Sequence, residues 1–343
     1  MTYPTLPPNS RAMDRRSFLL GLPITLGAIT ANVEGQAVHR PLRIGILSAG
    51  GENADLQGPQ PASPSAAALL DGLRNLGYRY GADFVLEGRG GQGSPERYSV
   101  LARELVSAKV DIIVAAGPTI DAVKRASSQI PIVMVGGATD PVDSKFVRSL
   151  SAPGGNITGL TLQQSDLVGK RLEILKELVP AAKPIAVLWE ESSGGSWRAS
   201  RTAAKDRGWT LLPYKIADRS AIGSAFASAK TAGAGSVLVI SGGILFENVP
   251  LVVEAATTNR LPTMYALRIY PERGGLVSYA ADLNELWRRA AAFIDRIAKG
   301  ANPATMPIEQ PIKFELVINL AAAKAIGLAI PQSILLRAND VIQ

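Results

Sequence analysis

The feature that most constrains the fold is a regular alternation of short apolar runs with longer segments that repeat apolar residues at helical spacing. Fully buried parallel strands are near-continuous apolar runs, because helices cover both faces of the sheet. Strands that alternate with helices are typical of such a sheet. After Pro41 the pattern predicts strands at 42–47, 84–87, 111–115 and 130–135, and helices at 65–76, 96–108 and 120–128.

The same pattern begins again after a turn cluster at 153–156. The chain therefore predicts an α/β fold with two doubly wound parallel-sheet lobes around a hinge. Ligands of open α/β sheets bind beyond the carboxyl ends of the strands, so the loops that follow strands are the first candidates for a site. In the second half, strands are predicted at 185–189, 210–216, 236–240, 263–266, 276–279 and 314–318, and helices at 166–178, 196–207, 221–231, 249–259, 283–299 and 320–326.

The composition excludes several kinds of chemistry. The 343-residue chain has no cysteine, which excludes thiolate metal sites and cysteine nucleophiles, and its one histidine, His39, lies near the N-terminus. The net charge of +7 is scattered without a long basic run, so nucleic-acid binding is not predicted. The segment 88–93 matches G-x-G-x-x-G but follows the second strand, not the first, so neither a dinucleotide nor any other cofactor is predicted.

The N-terminal segment has the pattern of an export signal. Arg15 and Arg16 precede an apolar stretch at 18–31, and small residues stand at Gly35 and Ala37. The apolar stretch is shorter than the roughly 20 residues that span a bilayer. The arginine pair favours a twin-arginine signal with cleavage after Ala37, and the alternatives are an ordinary secretory signal or an uncleaved anchor.

Two strand-end loops of the first half predict a carboxylate site. The first strand is followed by Ser48, and the third by Gly117, Pro118 and Thr119, which open a helix. The first N–H groups of a helix have no partner within it, and the helix dipole favours negative charge there. We therefore expect this loop and Ser48 to hold a ligand carboxylate, unless Thr119 only caps the helix.

Three further polar residues are binding candidates. Asp140 follows the fourth strand, where it could accept a ligand ammonium or shape an Asx turn before its proline. Asn156 and Thr158 are predicted to lie on a hinge strand with their side chains toward the cleft.

Trp189 and Glu190 end the first strand of the second half. There they could stack on or pair with a ligand, although a tryptophan in such a place is more often part of the core. Glu191 follows and suggests an acid/base pair, but no second carboxylate cluster or lysine base completes an active site. No catalytic residue and no metal ligand are predicted.

Several stretches together resemble the ABC-transporter substrate-binding protein family whose characterised relatives bind tryptophan and other aromatic or apolar amino acids. The resemblance covers residues 43–343 and implies a type I periplasmic-binding-protein fold with three crossovers. It implies a first lobe of 42–157 plus 281–306 and a second of 158–280 plus 307–343. The stretches are 72–78, 111–117, 140–142, 153–159, 169–173 and 313–320.

The chain departs from that family at three places. Proline precedes threonine at Pro118 and Thr119, where the family usually has the reverse order or Ser-Pro. Glu190 stands where asparagine is usual, and 241–243 reads Ser-Gly-Gly where the family often has an aspartate. Two of the departures lie on the second-lobe side of the cleft, which leaves the ligand open.

We therefore expect an exported, periplasmic solute-binding component of an ABC importer. It would be a non-enzymatic monomer that closes on a small carboxylate-bearing ligand, such as an aromatic or apolar amino acid, and docks on a membrane permease. The alternatives are a ligand-sensing module for a membrane receptor and, less favoured, a secreted bilobal α/β enzyme.

Overall fold

The computed structural model describes residues 40–137, 140–181 and 183–343. The predicted export signal with Arg15, Arg16 and its cut after Ala37 lies outside the described residues, as does His39. Within the described part, no helix combines the length and the apolar character needed to cross a membrane.

The first sheet has five parallel strands in the order β2-β1-β3-β4-β5. Its strands are apolar because helices cover both faces, and every residue of β4 is buried. The last strand, β5, pairs with β4 as far as Leu160, beyond residue 157 where the first segment of lobe one was predicted to end. The strands are β1 (Leu42–Ser48), β2 (Phe84–Gly90), β3 (Ile112–Ala116), β4 (Ile132–Val135) and β5 (Ile157–Leu160).

The second sheet has seven strands in the order β12-β11-β10-β9-β8-β6-β7. The strands are β6 (Ile185–Trp189), β7 (Leu211–Lys215), β8 (Ser236–Val239), β9 (Thr263–Tyr265), β10 (Val277–Ala281), β11 (Phe314–Asn319) and β12 (Asp340–Ile342). All pairs are parallel except β10 and β11, whose register places Ala281 opposite Phe314. The chain leaves this sheet after Ala281 and returns at the same end, so the returning strand must run in the opposite direction.

Twelve α-helices connect the strands in the described residues. The short helices α7, α9 and α12 were not predicted, because they span too few residues to show a helical period. The helices are α1 (Pro64–Asn75), α2 (Pro95–Ser107), α3 (Thr119–Ala126), α4 (Val168–Leu178), α5 (Gly194–Asp206), α6 (Ala221–Thr231), α7 (Gly243–Glu247), α8 (Val249–Thr258), α9 (Ile269–Glu272), α10 (Leu283–Ala298), α11 (Leu320–Ile326) and α12 (Gln332–Leu335).

Helix α10 crosses from the second sheet and packs on α1 of the first. Asp282 caps it by accepting a hydrogen bond of 3.1 Å from the N–H of Glu285. The two helices approach so closely that a Cβ at Gly72 would lie 2.3 Å from the carbonyl oxygen of Arg288. Only glycine fits at that contact. The packing of α1 on α10 holds one face of α10 in the first lobe.

A buried arginine joins the segments that lead into two of the crossovers. The guanidinium of Arg171, on α4, donates to the carbonyl oxygens of Tyr279 at 2.8 Å, Gln164 at 3.2 Å and Ala266 at 3.4 Å. Burial lowers the pKa of Arg171 to about 9. Tyr279 precedes the crossover to α10, and Gln164 lies in the crossover from β5 to α4, so one side chain fixes both segments.

Candidate ligand-binding site

A cavity of about 160 Å³ lies where loops of the two sheets meet. Two surfaces face each other across it. The first-sheet wall consists of Ser48, Ala49, Gly50, Ser65, Ala116, Gly117, Pro118, Val135 and Gly136. The second-sheet wall consists of Ser241, Phe246 and Leu267, and the crossover segments and α10 add Leu162, Leu283 and Trp287.

The polar side chains of the first-sheet wall are two serines. Ser48 ends β1 and is half-buried. Ser65 is in the first turn of α1, whose cap Ser63 accepts a hydrogen bond of 3.4 Å from the N–H of Ala66. The positive end of the α1 dipole therefore lies beside the cavity, together with two hydroxyl groups.

Only part of the loop of Gly117, Pro118 and Thr119 lies at the cavity, where the sequence predicted all three residues. Gly117 and Pro118 line the cavity. The N–H of Gly117, however, donates to the carbonyl of Gly136 at 3.0 Å, and proline has no N–H. Thr119 is fully buried, and its hydroxyl lies 3.0 Å from the carbonyl oxygen of Leu47. Thr119 was expected to donate to a ligand, but its hydroxyl instead ties the loop to β1 and the residue does not line the cavity.

Asp140 adopts the second of its two predicted roles. Its Oδ1 accepts hydrogen bonds from the N–H groups of Val142 at 2.8 Å and Asp143 at 3.1 Å, which is an Asx turn. The residue is exposed and does not line the cavity. The alternative of an ammonium ligand at Asp140 finds no support in this geometry.

The side chains of Asn156 and Thr158 form hydrogen bonds with backbone groups and do not line the cavity. The side chain of Asn156 donates to the carbonyls of Ser127 at 3.1 Å and Ile130 at 2.8 Å, at the amino end of β5. Thr158 is fully buried and donates to the carbonyl of Met306 at 2.9 Å. Both were expected to face the cleft, but each side chain donates to backbone carbonyl groups and neither lines the cavity.

Trp189 packs within the second lobe. Its ring stacks on Trp197 with centroids 5.6 Å apart and an interplanar angle of 15°. The ammonium group of Lys215 lies 5.6 Å from the same ring. Trp189 does not line the cavity, and its stacking on Trp197 is the arrangement expected of the core alternative.

Glu190 is an internal cap. It is only 4% exposed, and its carboxylate accepts hydrogen bonds from the N–H groups of Leu245 at 2.7 Å and Ile244 at 3.1 Å. These groups belong to the first turn of α7, so Glu190 satisfies the helix end that a ligand anion would otherwise occupy. Burial raises the pKa of Glu190, and the hydrogen bonds from α7 oppose that shift. Glu190 was expected to contact a ligand, but the structure gives its carboxylate this structural role and the residue does not line the cavity.

Two of the sequence departures are physically coupled. A Cβ at Gly242 would lie 2.4 Å from the carboxyl carbon of Glu190. A side chain at position 242 would therefore displace the carboxylate from α7. Glycine at this position provides the space that a glutamate at 190 fills.

Ser241 lines the cavity, although the sequence does not mark it as a binding candidate. It is 1% exposed and lines the cavity, and its hydroxyl has no hydrogen-bond partner among the described residues. The available signal was its place directly after a buried strand, in the loop where the chain departs from the family. Ser65, Phe246 and Trp287 carried no comparable signal, because only the packing of helices brings them to the cavity.

The described lining of the cavity carries no charged side chain. Its chemistry is apolar, with the three hydroxyls of Ser48, Ser65 and Ser241 and the indole of Trp287. No group of three or more His, Cys, Asp or Glu side chains in the described ranges could hold a metal ion. The cavity can enclose an apolar body and hydrogen-bond a few polar atoms.

Two mainly parallel sheets with a cavity at their strand-end loops, joined by crossovers, define a bilobal binding protein. The family model described as ABC transporter substrate binding protein matches residues 63–342. The chain belongs to this family, whose members are binding proteins, and both the resemblance and the two-lobed α/β fold expected from the sequence are confirmed.

Three relatives illustrate the similarity. The chain is 26% identical over 265 residues to a tyrosine-binding protein of Clostridioides difficile (strain R20291), covering 76% of this chain and 75% of the relative. The crystal structure of an ABC domain in complex with L-Trp from Streptococcus pneumoniae superposes with a TM-score of 0.75 at 24% identity, covering 88% of this chain and 100% of that one. The ligand-free, open structure of a substrate-binding protein with adhesive properties from Clostridium difficile gives a TM-score of 0.66 at 23% identity, covering 88% and 99%.

Proposed function

We propose that this chain captures a small aromatic or apolar ligand with a carboxylate group in the cavity and delivers it to an ABC permease. The observation that carries the proposal is the cavity itself, because one apolar space takes lining residues from the strand-end loops of both sheets. A ligand there contacts both lobes at once, so its binding energy favours the closed arrangement.

The first-sheet wall supports the assignment of the carboxylate. Ser48 and Ser65 offer hydroxyl donors, and the positive end of the α1 dipole lies beside them. On the second-sheet wall, the corresponding end of α7 is already occupied by Glu190. The carboxylate is therefore assigned to Ser48 and Ser65 and not to the loop of Thr119.

The relatives support an aromatic body. One is described as tyrosine-binding, and another was crystallised with L-Trp.

The remaining parts of the proposal concern the cellular setting. We propose export through the segment with Arg15 and Arg16, cleavage after Ala37, and action in the periplasm as a monomer without catalysis. The absence of titratable side chains from the described cavity lining supports binding without acid/base chemistry at the ligand.

Calorimetry of the mature chain against aromatic and apolar carboxylates tests the proposed site. A charged hydrogen bond contributes about 1.5–3 kcal/mol. The double substitution Ser48→Ala and Ser65→Ala should therefore weaken binding of the best ligand by about 10- to 100-fold or more.

The matched control is Ser94→Ala. Ser94, like Ser65, lies at the start of a helix, here α2, but it does not line the cavity. The control should bind like the wild type. Equal affinity of the double variant and the control would place the carboxylate elsewhere.

A further inference from the structure

The cavity offers a ligand carboxylate two hydroxyls and a helix end, but it offers a ligand ammonium no counter-charge. We propose that the ligand is an aromatic or apolar carboxylic acid without an α-ammonium group, and not a zwitterionic amino acid. This inference rests on the proposed function, since it assumes that the ligand occupies this cavity.

The first observation is the uncharged lining. Every described residue that lines the cavity is apolar, a glycine, a proline or a serine, with one tryptophan. The sequence neighbours of Gly136 that lie outside the description, Ala138 and Thr139, are uncharged residue types. Burial of an unpaired ammonium is costly, because the site would have to replace its hydration without an opposite charge.

The second observation is that the acidic residues of the surrounding loops are engaged or lie elsewhere. The carboxylate of Glu190 accepts the N–H groups of Ile244 and Leu245, and turning it toward a ligand would leave those buried donors unpaired. Asp140 is exposed, with its Oδ1 held in an Asx turn. Glu247 is half-buried at the end of α7 and is not part of the lining.

The third observation is Ser241. Its buried, unpartnered hydroxyl is the one polar side chain on the described second-sheet wall. A hydroxyl has one donor and two acceptor lone pairs, which suits a neutral polar group on the ligand. An ammonium has three donors and a full charge, which a single serine does not satisfy.

Calorimetry with matched ligand sets decides between the two classes. Each set holds the body constant: phenylalanine, phenylpropanoate and phenylethylamine; tyrosine, hydroxyphenylpropanoate and tyramine; tryptophan and indolepropanoate. In the set that binds most tightly, the acid should bind about 10- to 100-fold more tightly than the amino acid with the same body. The amines should bind most weakly.

The outcomes separate this inference from the proposed function. An amino acid that binds as tightly as its matched acid overturns the inference and leaves the proposed function standing. Failure of both acids and amino acids to bind overturns the proposed function and the inference with it.

A second measurement restores the missing charge. Ser241→Asp places a carboxylate in the cavity, and it should shift the ratio of acid to amino-acid affinity toward the amino acid by at least about tenfold. Ser241→Ala, the uncharged control, should keep the wild-type order. A folded Ser241→Asp variant whose ratio of acid to amino-acid affinity is unchanged overturns the claim that a counter-charge sets the order of affinities. If Ser241→Asp does not fold, the matched ligand sets measured on the wild type decide alone.

Discussion

The two walls of the cavity each combine a strand end with a helix start, but they differ in whether a carboxylate side chain already accepts the N–H groups of that helix. On each, a strand ends and a helix begins beside the cavity, α1 for the first-sheet wall and α7 for the second-sheet wall. Beside α1, Ser65 lines the cavity and no carboxylate side chain caps the helix. On α7, Glu190 already accepts the N–H groups of Ile244 and Leu245.

A helix start beside a strand end is therefore an anion site only while its N–H donors are unoccupied. Buried N–H groups are almost always paired, either with a ligand or with the chain itself. In the second lobe the chain supplies the anion, and Gly242 supplies the space for it. The two lobes can therefore share a topology and still bind opposite ends of one ligand with different chemistry.

The largest effect should come from removal of the internal cap. Glu190→Ala leaves two buried N–H groups of α7 without an acceptor, so the free energy of unfolding should fall by about 3 kcal/mol. Chemical denaturation followed by circular dichroism measures this loss.

The matched control for that substitution is the next residue in the chain. Glu191 is exposed and forms a surface ion pair with Lys215, so Glu191→Ala should leave the stability nearly unchanged. Similar losses in the two variants would show that the cap does not hold the second-sheet wall.

A smaller effect should come from the first lobe, where Thr119→Val removes a buried hydroxyl that binds a backbone carbonyl. The free energy of unfolding should fall by about 1–2 kcal/mol, while the folded variant should bind ligand within about twofold of the wild type. Thr202→Val on the exposed face of α5 is the control. Loss of affinity without loss of stability in Thr119→Val would return this hydroxyl to the ligand site.

The smallest effect should be the change of stability with pH that comes from Glu190, because only one carboxyl group titrates. Burial raises its pKa above the usual 4.5, so the folded state holds the proton more tightly than the unfolded state does. The resulting stabilisation is fully present below the unfolded pKa and is lost as pH rises through the folded pKa. The difference in unfolding free energy between wild type and Glu190→Gln should therefore decrease as pH rises above 4.5. A difference that increases with pH would mean that the hydrogen bonds from α7 outweigh burial.

The strongly periodic segments were predictable. Helices α6 and α11 have the bounds that the sequence predicted, because each is long enough to show a helical period. Strand β6 also has its predicted bounds, because it is a continuous apolar run. The short helix α7 was missed, and with it the cap of Glu190, because neither a period nor a neighbouring capping residue marks it. Its cap, Glu190, comes from the residue that follows β6, more than fifty positions earlier in the chain.

The class of fold and the edge of the sheets at which a ligand site would lie can be read from the sequence. These follow from local periodicity and from the rule that binding loops follow parallel strands. Which side chains reach that site depends on tertiary packing. Three polar residues lie near strand ends but form hydrogen bonds with backbone groups of distant segments, and these are Thr119, Thr158 and Glu190. Ser241 remains available because no such group lies within hydrogen-bonding distance of its hydroxyl in the described structure.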